Sequence, residues 1–244
     1  SKSFRSYKEA LDCYSKFDRT VCVSDTVKDD FESIFDTKKP VEVLYNTNES
    51  EKIKKLSDEQ VDDVDFSKDT INIISVAKIV PSKGYDRLMK IHKKLIEKNI
   101  KNHIYILGIG EEKEKYEKYL TENNLTDTFT FLGYRDNPYK YVKKADLYVC
   151  SSRREGFSTA VTEALIVGTP VVSTNCSGAY ELLGENNEYG IVTENNEDAL
   201  YEGIKKMLTT PNLFEAYAAK AKERGKAFST EKTVKAVEEM LSAL

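Results

Sequence analysis

The sequence lacks the residues from which metal sites, disulfide frameworks and membrane spans are usually built. It has only two histidines, and no acidic or cysteine cluster accompanies them at ligand spacing, so we expect no metal cofactor. Its four cysteines are widely spread and form no CxxC pair, which favours reduced thiols in a cytosolic protein. No apolar run reaches the ~18–20 residues that span a bilayer.

Positive charge is also in short supply. The 37 lysines and arginines are outnumbered by 41 aspartates and glutamates, which leaves a net charge of −4. Such a chain is a poor general binder of nucleic acid or of an anionic membrane, so we expect no nucleic-acid partner. Any phosphate ligand must instead meet a few placed cations. The 244 residues, of which 40% are hydrophobic, are sufficient for a sizeable core.

From residue 70 onward, strand-like and helix-like segments alternate. The strand-like runs are 71–77, 103–108, 128–133, 146–151, 170–174 and 190–193, and the helical stretches are 85–98, 111–123, 137–144, 159–168, 178–183 and 196–209. Alternation with short connections predicts an α/β fold with a Rossmann-like parallel sheet flanked by helices. The ligand of such a sheet lies outside the carboxyl ends of its strands.

The first part of the chain follows a different pattern. A helix is predicted at 7–17, a strand at 20–24, a helix at 26–35 and a strand at 41–45, but two strands cannot form a parallel sheet with both faces buried. Residues 46–69 are polar and acidic, which is typical of a linker. The tail after residue 210 reads as two helices with a break near Gly225.

Glycines and arginines cluster where the predicted strands end. They are Gly84, Gly108, Gly110, Gly133, Gly156, Gly178, Arg135, Arg153 and Arg154. Glycine allows the backbone to approach a ligand closely, and cations at the same edge favour a phosphorylated ligand. Turn formation alone would explain any single glycine. The evidence for a ligand site is that six glycines fall on the same side of the predicted sheet.

The first strand-to-helix turn carries two lysines. Lys78 and Lys83 bracket a loop that contains Pro81 and precedes a helix. Compact ammonium groups at this spacing suit the two phosphates of a diphosphate. The alternative interpretation is a pair of solvated loop lysines.

The fourth turn carries more functional groups than the others. Ser158 or Thr159 is suited to cap the following helix, whose first free N–H groups form an anion site. Glu155 precedes this helix and Glu163 lies in its second turn, so both carboxylates are able to face one pocket. There they would accept hydrogen bonds from the hydroxyls of a sugar and a ribose. Two exposed charges at a helix end are the alternative.

The segment from Glu155 to Glu163 resembles the E-x7-E motif of glycosyltransferase family 4, the retaining nucleotide-sugar transferases of the two-domain GT-B fold. Further matches are Val167–Val172, Ser177–Glu181, the loop Lys78–Gly84 and the turn Leu107–Gly110. The resemblance covers roughly 70–230, the nucleotide-binding half of that fold. It implies a C-terminal GT-B half preceded by part of an acceptor-binding half whose beginning is missing.

The resemblance implies a role for each matching residue. Lys83 would bind the donor diphosphate, assisted by Lys78, which stands where the family usually has arginine. Glu155 would contact the donor sugar near the reaction centre, and Glu163 would hold the ribose. We therefore predict Glu155, Lys83 and Lys78 as catalytic residues.

The remaining implied contacts are with the nucleotide-sugar. The predicted binding residues, besides Glu163, are Gly108, Gly110, Gly133, Tyr134, Arg135, Gly156, Phe157, Ser158 and Thr159. The turn at residues 133–135 would lie near the nucleobase, and the segment 156–158 along the sugar and phosphate. The family implies neither a metal nor another cofactor. The DxD-like segment 63–65 lies in the predicted linker, so we expect it to be solvated charge.

Together, these matches imply a retaining glycosyltransferase that moves a sugar from a UDP-sugar to a glycan or lipid-linked acceptor during surface polysaccharide synthesis. The domains would be 1–50, a remnant of the N-terminal acceptor-binding domain; 51–69, a polar linker; 70–228, the nucleotide-sugar-binding domain; and 229–244, a C-terminal helix. Without its N-terminal domain, the chain is expected to be inactive alone. We expect a cytoplasmic protein, with a peripheral position at the inner membrane face as the alternative.

Two alternatives remain at this point. One is a nucleotide-sugar epimerase of the same architecture. The other is a non-catalytic nucleotide-binding or scaffold domain. Absence of binding to any nucleotide would favour the scaffold over the two enzymes.

Overall fold

The computed structural model describes residues 6–36 and 38–243. The helices are α1 (Tyr7–Tyr14), α2 (Asp25–Ile34), α3 (Ser50–Ser57), α4 (Tyr85–Glu97), α5 (Lys113–Glu122), α6 (Tyr139–Lys144), α7 (Thr159–Val167), α8 (Ala179–Leu183), α9 (Glu197–Thr209), α10 (Leu213–Gly225) and α11 (Thr230–Ser242). The strands are β1 (Thr20–Cys22), β2 (Val41–Val43), β3 (Ile71–Val76), β4 (Asn102–Leu107), β5 (Phe129–Gly133), β6 (Leu147–Cys150), β7 (Val171–Thr174) and β8 (Ile191–Thr193).

The main sheet has six strands in the order β5-β4-β3-β6-β7-β8, and every neighbouring pair is parallel. The strand order reverses between β3 and β6, because β4 and β5 lie on one side of β3 and the later strands on the other. In such a sheet the ligand crevice opens at the reversal, outside the carboxyl ends of the two strands. The predicted Rossmann-like α/β fold is confirmed.

Helices cover both faces of this sheet, and the central strands are therefore apolar on both sides. On β3, Ile73 and Ile74 point to opposite faces and are both fully buried, and each belongs to a different apolar cluster. Helix α4 packs on one face through Leu88, Ile91 and Leu95, which recur at helical spacing. The apolar clusters on the two faces hold the central strands in place, and thereby the loops that follow β3 and β6.

The segment 51–69, predicted as a polar linker, contributes instead to the packed core. It starts within α3, which packs against α6 and α7. Ile53 is only 3% exposed and Phe66 only 9% exposed, and both belong to the core cluster. Helix α3 is short and amphipathic: its lysines and Glu51 are exposed, whereas Ile53 is buried. The exposed side of the helix accounts for its polar composition.

The small N-terminal unit is a parallel pair of strands, β1 and β2, connected by α2. It forms a two-stranded sheet separate from the main one. Helix α11 returns to this region, where Thr230 donates a hydrogen bond from Oγ1 to the carbonyl of Asn48 at 2.6 Å and accepts one from the N–H of Ser50 at 2.9 Å. The tail contains two helices, and α10 ends at Gly225 as predicted. The domain boundaries themselves stay predictions.

Candidate functional site

The loops that follow β3 and β6 meet at the point where the strand order reverses. After β3, a 3₁₀ turn at Pro81–Lys83 ends in Gly84, whose φ of 68° is left-handed. A Cβ at position 84 would lie 2.1 Å from the carbonyl oxygen of Ser151, so only glycine fits between the two loops. The hydroxyl of Ser151 donates in turn to the carbonyl of Lys83 at 2.8 Å. The two loops are therefore held together by their backbones.

A cavity of about 280 Å³ opens between these loops. Six predicted site residues line it, namely Lys78, Lys83, Glu155, Phe157, Ser158 and Thr159. A larger groove of about 770 Å³ lies at the amino ends of the strands, but none of the predicted site residues lines it. The smaller cavity is the candidate site because it lies where parallel sheets bind their ligands.

Lys83 and Glu155 face each other across the cavity. The Nζ of Lys83 donates to Oε1 of Glu155 at 2.6 Å, and both side chains are largely buried. The hydroxyl of Ser152 donates to the same oxygen at 2.5 Å. Over the described ranges, no hydrogen bond is made by the other carboxylate oxygen, Oε2. A short, charge-assisted pair of this kind fixes one oxygen of the carboxylate and leaves the other open to a ligand.

The N-terminus of α7 borders the same cavity. Ser158 caps the helix, and its Oγ accepts from the N–H of Val161 at 3.4 Å. Thr159 and Ala160, the first residues of α7, line the cavity, and the helix dipole adds partial positive charge there. Lys83 and the α7 N-terminus together form a positive wall that suits a phosphate group.

Glu163 lies one helical turn further along α7 and does not line the cavity. Its carboxylate makes no hydrogen bond or ion pair with residues that the structure describes. Burial raises the pKa of Glu163 to about 7. Burial, and after it the charge of Glu163, raises the pKa of Tyr139 on α6. The structure thus brings Glu155 and Lys83 together but leaves Glu163 beside the cavity rather than in it.

The predicted glycines after β4 serve loop packing. A Cβ at Gly108 would lie 1.9 Å from the carbonyl oxygen of Ala77, and one at Gly110 would lie 2.1 Å from that of Ile79. The loop after β4 therefore packs directly on the loop after β3. Close backbone approach between these loops explains both glycines, and a ligand contact at either stays a prediction.

The turn after β5 lies outside the cavity. Gly133 has a left-handed φ of 74°, and the side chain of Tyr134 is 65% exposed. Arg135 donates from Nε to Oδ2 of Asp63 at 3.0 Å. Asp63 also accepts a hydrogen bond from Tyr141 at 2.7 Å, and these donors lower its pKa. Asp63 remains exposed at the surface, in keeping with the expectation of solvated charge, and there it also anchors Arg135 to the segment before β3.

The glycines around the fourth turn differ in their surroundings. No atom lies within 4 Å of a Cβ built on Gly156, so this backbone is open on that side. At Gly178 a Cβ would lie 2.8 Å from the ring of Phe157, and φ is 77°. The open backbone at Gly156 is available to a ligand, whereas Gly178 makes room for Phe157.

Four functional groups in or beside the cavity were missed in the sequence. Tyr85 and Tyr148 line its buried floor, and burial raises the pKa of both phenols, so both stay neutral. Ser152 binds Glu155. Arg87, only 5% exposed, donates to the carbonyls of Ser151 and Ser152. Arg87 lies in the first turn of α4 and is 64 residues away from Ser151 in the sequence, so no local sequence pattern predicts their contact.

The described ranges contain no group of three or more histidine, cysteine, aspartate or glutamate side chains that could hold a metal ion. His92 is fully buried between Asn102 and Thr128, each 2.8 Å from a ring nitrogen. Burial lowers the pKa of His92 to about 4, so it is a neutral packing residue. The expectation that no metal takes part stays a prediction.

The profile of the family described as "Glycosyl transferases group 1" matches residues 57–224. This match covers more than half of the chain, and the protein belongs to that family. The family resemblance stated from the sequence is confirmed at this level. Among the helices of residues 6–36 and 38–243, none is long and apolar enough to cross a membrane.

Similar proteins support the same classification. A Campylobacter jejuni protein named N-acetylgalactosamine-N,N'-diacetylbacillosaminyl-diphospho-undecaprenol 4-alpha-N-acetylgalactosaminyltransferase is 35% identical over 192 residues, which cover 78% of this chain and 50% of that protein. An uncharacterized glycosyltransferase of Methanocaldococcus jannaschii is 30% identical, over 81% of this chain and 56% of its own. The chain thus spans about half the length of the curated relatives it matches.

The fold also matches solved structures. Anabaena HepE in complex with UDP superposes with a TM-score of 0.83 at 18% identity, over 100% of this chain and 69% of that one. At this identity the likeness establishes the fold alone, which is the Rossmann-like GT-B type.

Proposed function

We propose that the crevice between β3 and β6 binds a UDP-sugar, and that the chain is the donor-binding part of a retaining glycosyltransferase. The observation that carries the proposal is the shared cavity of Lys83, Glu155 and the α7 N-terminus, at the carboxyl ends of the central strands. Its positive wall fits a diphosphate, and its carboxylate fits the hydroxyls of a sugar. Family membership supplies independent support.

In this proposal, Lys83 and the N–H groups at the start of α7 bind the diphosphate. As the bond to the sugar breaks, negative charge accumulates on the leaving diphosphate, and fixed positive groups lower the energy of that state. Lys78 lines the same cavity and adds a second cation. Because the structure pairs Lys83 with Glu155, the diphosphate in this proposal replaces a carboxylate as the partner of Lys83.

Glu155 has a separate role in the proposal. Its free Oε2 accepts a hydrogen bond from a hydroxyl of the donor sugar and thereby fixes the sugar next to the diphosphate. Retention of configuration at the sugar is part of the proposal and is tested by comparing the anomeric configuration of the donor with that of the product. No metal or covalent nucleophile is invoked.

The acceptor in the proposal is a glycan or a lipid-linked glycan of a surface polysaccharide. The name of the Campylobacter relative contains a diphospho-undecaprenol acceptor. An acceptor of that kind would bring the protein to the cytoplasmic face of the membrane as a peripheral protein. Glu163 is proposed to form a hydrogen bond with the ribose of a nucleotide that lies along α7. Because its pKa is about 7, its carboxyl is present in both protonation states near neutral pH.

Calorimetric titration of the chain with UDP, GDP and ADP tests the proposal. We expect saturable binding of UDP, with GDP and ADP weaker by at least about tenfold. Absence of binding to all three nucleotides would favour a scaffold role and contradict the proposal. Stronger binding of GDP or ADP would contradict the choice of base.

Incubation of the chain with UDP-sugars, followed by NMR analysis of the sugar, tests the epimerase alternative, because an epimerase releases a new epimer.

A further inference from the structure

Ser152 connects Glu155 to the rigid part of the fold. Its hydroxyl donates to Oε1 of Glu155 at 2.5 Å. Its carbonyl oxygen accepts three hydrogen bonds, from Nη2 of Arg87 at 2.6 Å, from Oγ1 of Thr174 at 2.6 Å and from Sγ of Cys176 at 3.0 Å. One residue thus contacts the candidate catalytic carboxylate through its side chain and three other segments through its backbone.

None of these three donor residues lines the cavity. Arg87 lies on α4 and also donates to the carbonyl of Ser151 and to Oδ1 of Asn195 at 2.8 Å. Thr174 is the last residue of β7 and is fully buried. Ser152 itself is only 3% exposed. The backbone from which its hydroxyl extends is therefore held by the sheet and by α4.

Oε1 of Glu155 accepts two hydrogen bonds, one from Lys83 and one from Ser152, and a bound UDP-sugar would affect them differently. Lys83 is a cation on a flexible stem, and a diphosphate attracts it more strongly than a single carboxylate does. The hydroxyl of Ser152 carries no charge and is fixed by its backbone. When Lys83 turns to the phosphates, Ser152 is the donor that remains on Oε1, and Oε2 keeps its direction into the cavity.

We propose that Ser152 is a positioning residue, which holds Glu155 with Oε2 facing the donor sugar after Lys83 has moved to the diphosphate. The inference rests on the proposed function, because it needs a UDP-sugar in the cavity. It predicts that Ser152 affects recognition of the sugar and leaves recognition of UDP nearly unchanged. A residue with a merely structural role would affect both equally.

The test compares the dissociation constants of UDP, UDP-glucose and UDP-N-acetylglucosamine for the unchanged chain and for Ser152→Ala. For the sugar that binds better, we expect the ratio of UDP-sugar affinity to UDP affinity to fall about fivefold to tenfold, which corresponds to the loss of one ordinary hydrogen bond. UDP affinity should change by less than about threefold. A ratio that changes by less than about twofold would overturn the inference.

Two further variants separate positioning from general loosening. Ser173→Ala removes an equally buried hydroxyl that donates to the carbonyl of Thr174 and does not line the cavity, so the ratio should not change. In the double variant Ser152→Ala with Glu155→Ala, the ratio should equal that of Glu155→Ala alone, because Glu155→Ala leaves no side-chain oxygen for Ser152 to position. Additive losses, or equal losses in Ser173→Ala, would contradict positioning. Failure of the unchanged chain to bind UDP would instead contradict the proposed function, and this inference with it.

Discussion

The ring of Tyr45 stacks on the ring of Phe157, with centroids 5.0 Å apart and planes at 16°. Tyr45 follows β2 in the small N-terminal unit, whereas Phe157 belongs to the loop that carries Glu155. Phe228 packs against Tyr45 at 5.7 Å, with the rings at 66°. The loop that lines the candidate site is therefore supported from outside the main sheet by aromatic packing.

Replacing Tyr45 should destabilise this packing. For Tyr45→Ala we expect the free energy of unfolding to fall by about 2 kcal/mol, since a half-buried ring and its stacking are lost. Tyr45→Phe keeps the ring and should stay within about 1 kcal/mol of the unchanged chain. Urea denaturation of the three proteins measures the difference, and equal midpoints for all of them would show that the stack contributes nothing to stability.

Removing the ammonium group of Lys83 should weaken nucleotide binding. We expect Lys83→Ala to lose about 1.5–3 kcal/mol of UDP binding free energy, which is the range for charge-assisted hydrogen bonds. Lys205→Ala, which removes an exposed lysine paired with Glu202 on α9, is the matched control and should bind UDP normally. Calorimetry measures both, and an unchanged affinity in Lys83→Ala would remove Lys83 from the site.

The raised pKa of Glu163 links stability to pH. Burial raises this pKa from 4.5 to about 7, so the folded chain holds a proton that the unfolded chain has released between these values. This carboxyl therefore lowers the stability as the pH rises from about 4.5 to about 7. Glu163→Gln is neutral throughout and should be more stable than the unchanged chain at pH 8, by about 1–2 kcal/mol.

The same variant provides its own control at low pH. Near pH 4.5 both proteins carry an uncharged side chain at position 163, so their stabilities should converge. Denaturation with urea at pH 4.5 and at pH 8 measures the two differences. A stability difference that is the same at both pH values would contradict a burial-raised pKa for Glu163.

Arg87 should contribute more to stability than an exposed arginine does. Its guanidinium is buried against the carbonyls of Ser151 and Ser152. In Arg87→Met the carbonyl of Ser151 would lose its donor, whereas that of Ser152 would keep Thr174 and Cys176 as donors. We expect a loss of about 3 kcal/mol, since a buried carbonyl without a partner is costly and the buried packing around it is disturbed. Arg153→Met removes an exposed arginine paired with Asp86 and should cost about 1 kcal/mol or less. Thermal unfolding compares them, and similar losses would be evidence against a buried clamp.

The strands of the main sheet were predictable because each is a short, β-branched run between turn residues. Their observed ends differ from the predicted ones by no more than a residue, as with β3 at Ile71–Val76. Periodicity reports burial, and in a parallel sheet with two covered faces burial is nearly continuous. Hydrophobic periodicity did not reveal α3, because this eight-residue helix buries a single apolar residue, Ile53, among its lysines and therefore shows no apolar repeat.

The sequence by itself determined the alternation of strands and helices, the glycine-rich turns at the strand ends and the family to which the chain belongs. Only the tertiary structure decided that Lys83 and Glu155 bind each other, that Arg135 binds Asp63, and that Glu163 stays outside the cavity. The physical reason is that local pattern encodes which residues are buried in each segment. The partner of a charged side chain depends instead on which strands lie side by side in the sheet. Strands β3 and β6 are neighbours there, although Lys83 and Glu155, in the loops that follow them, are 72 residues apart in the sequence.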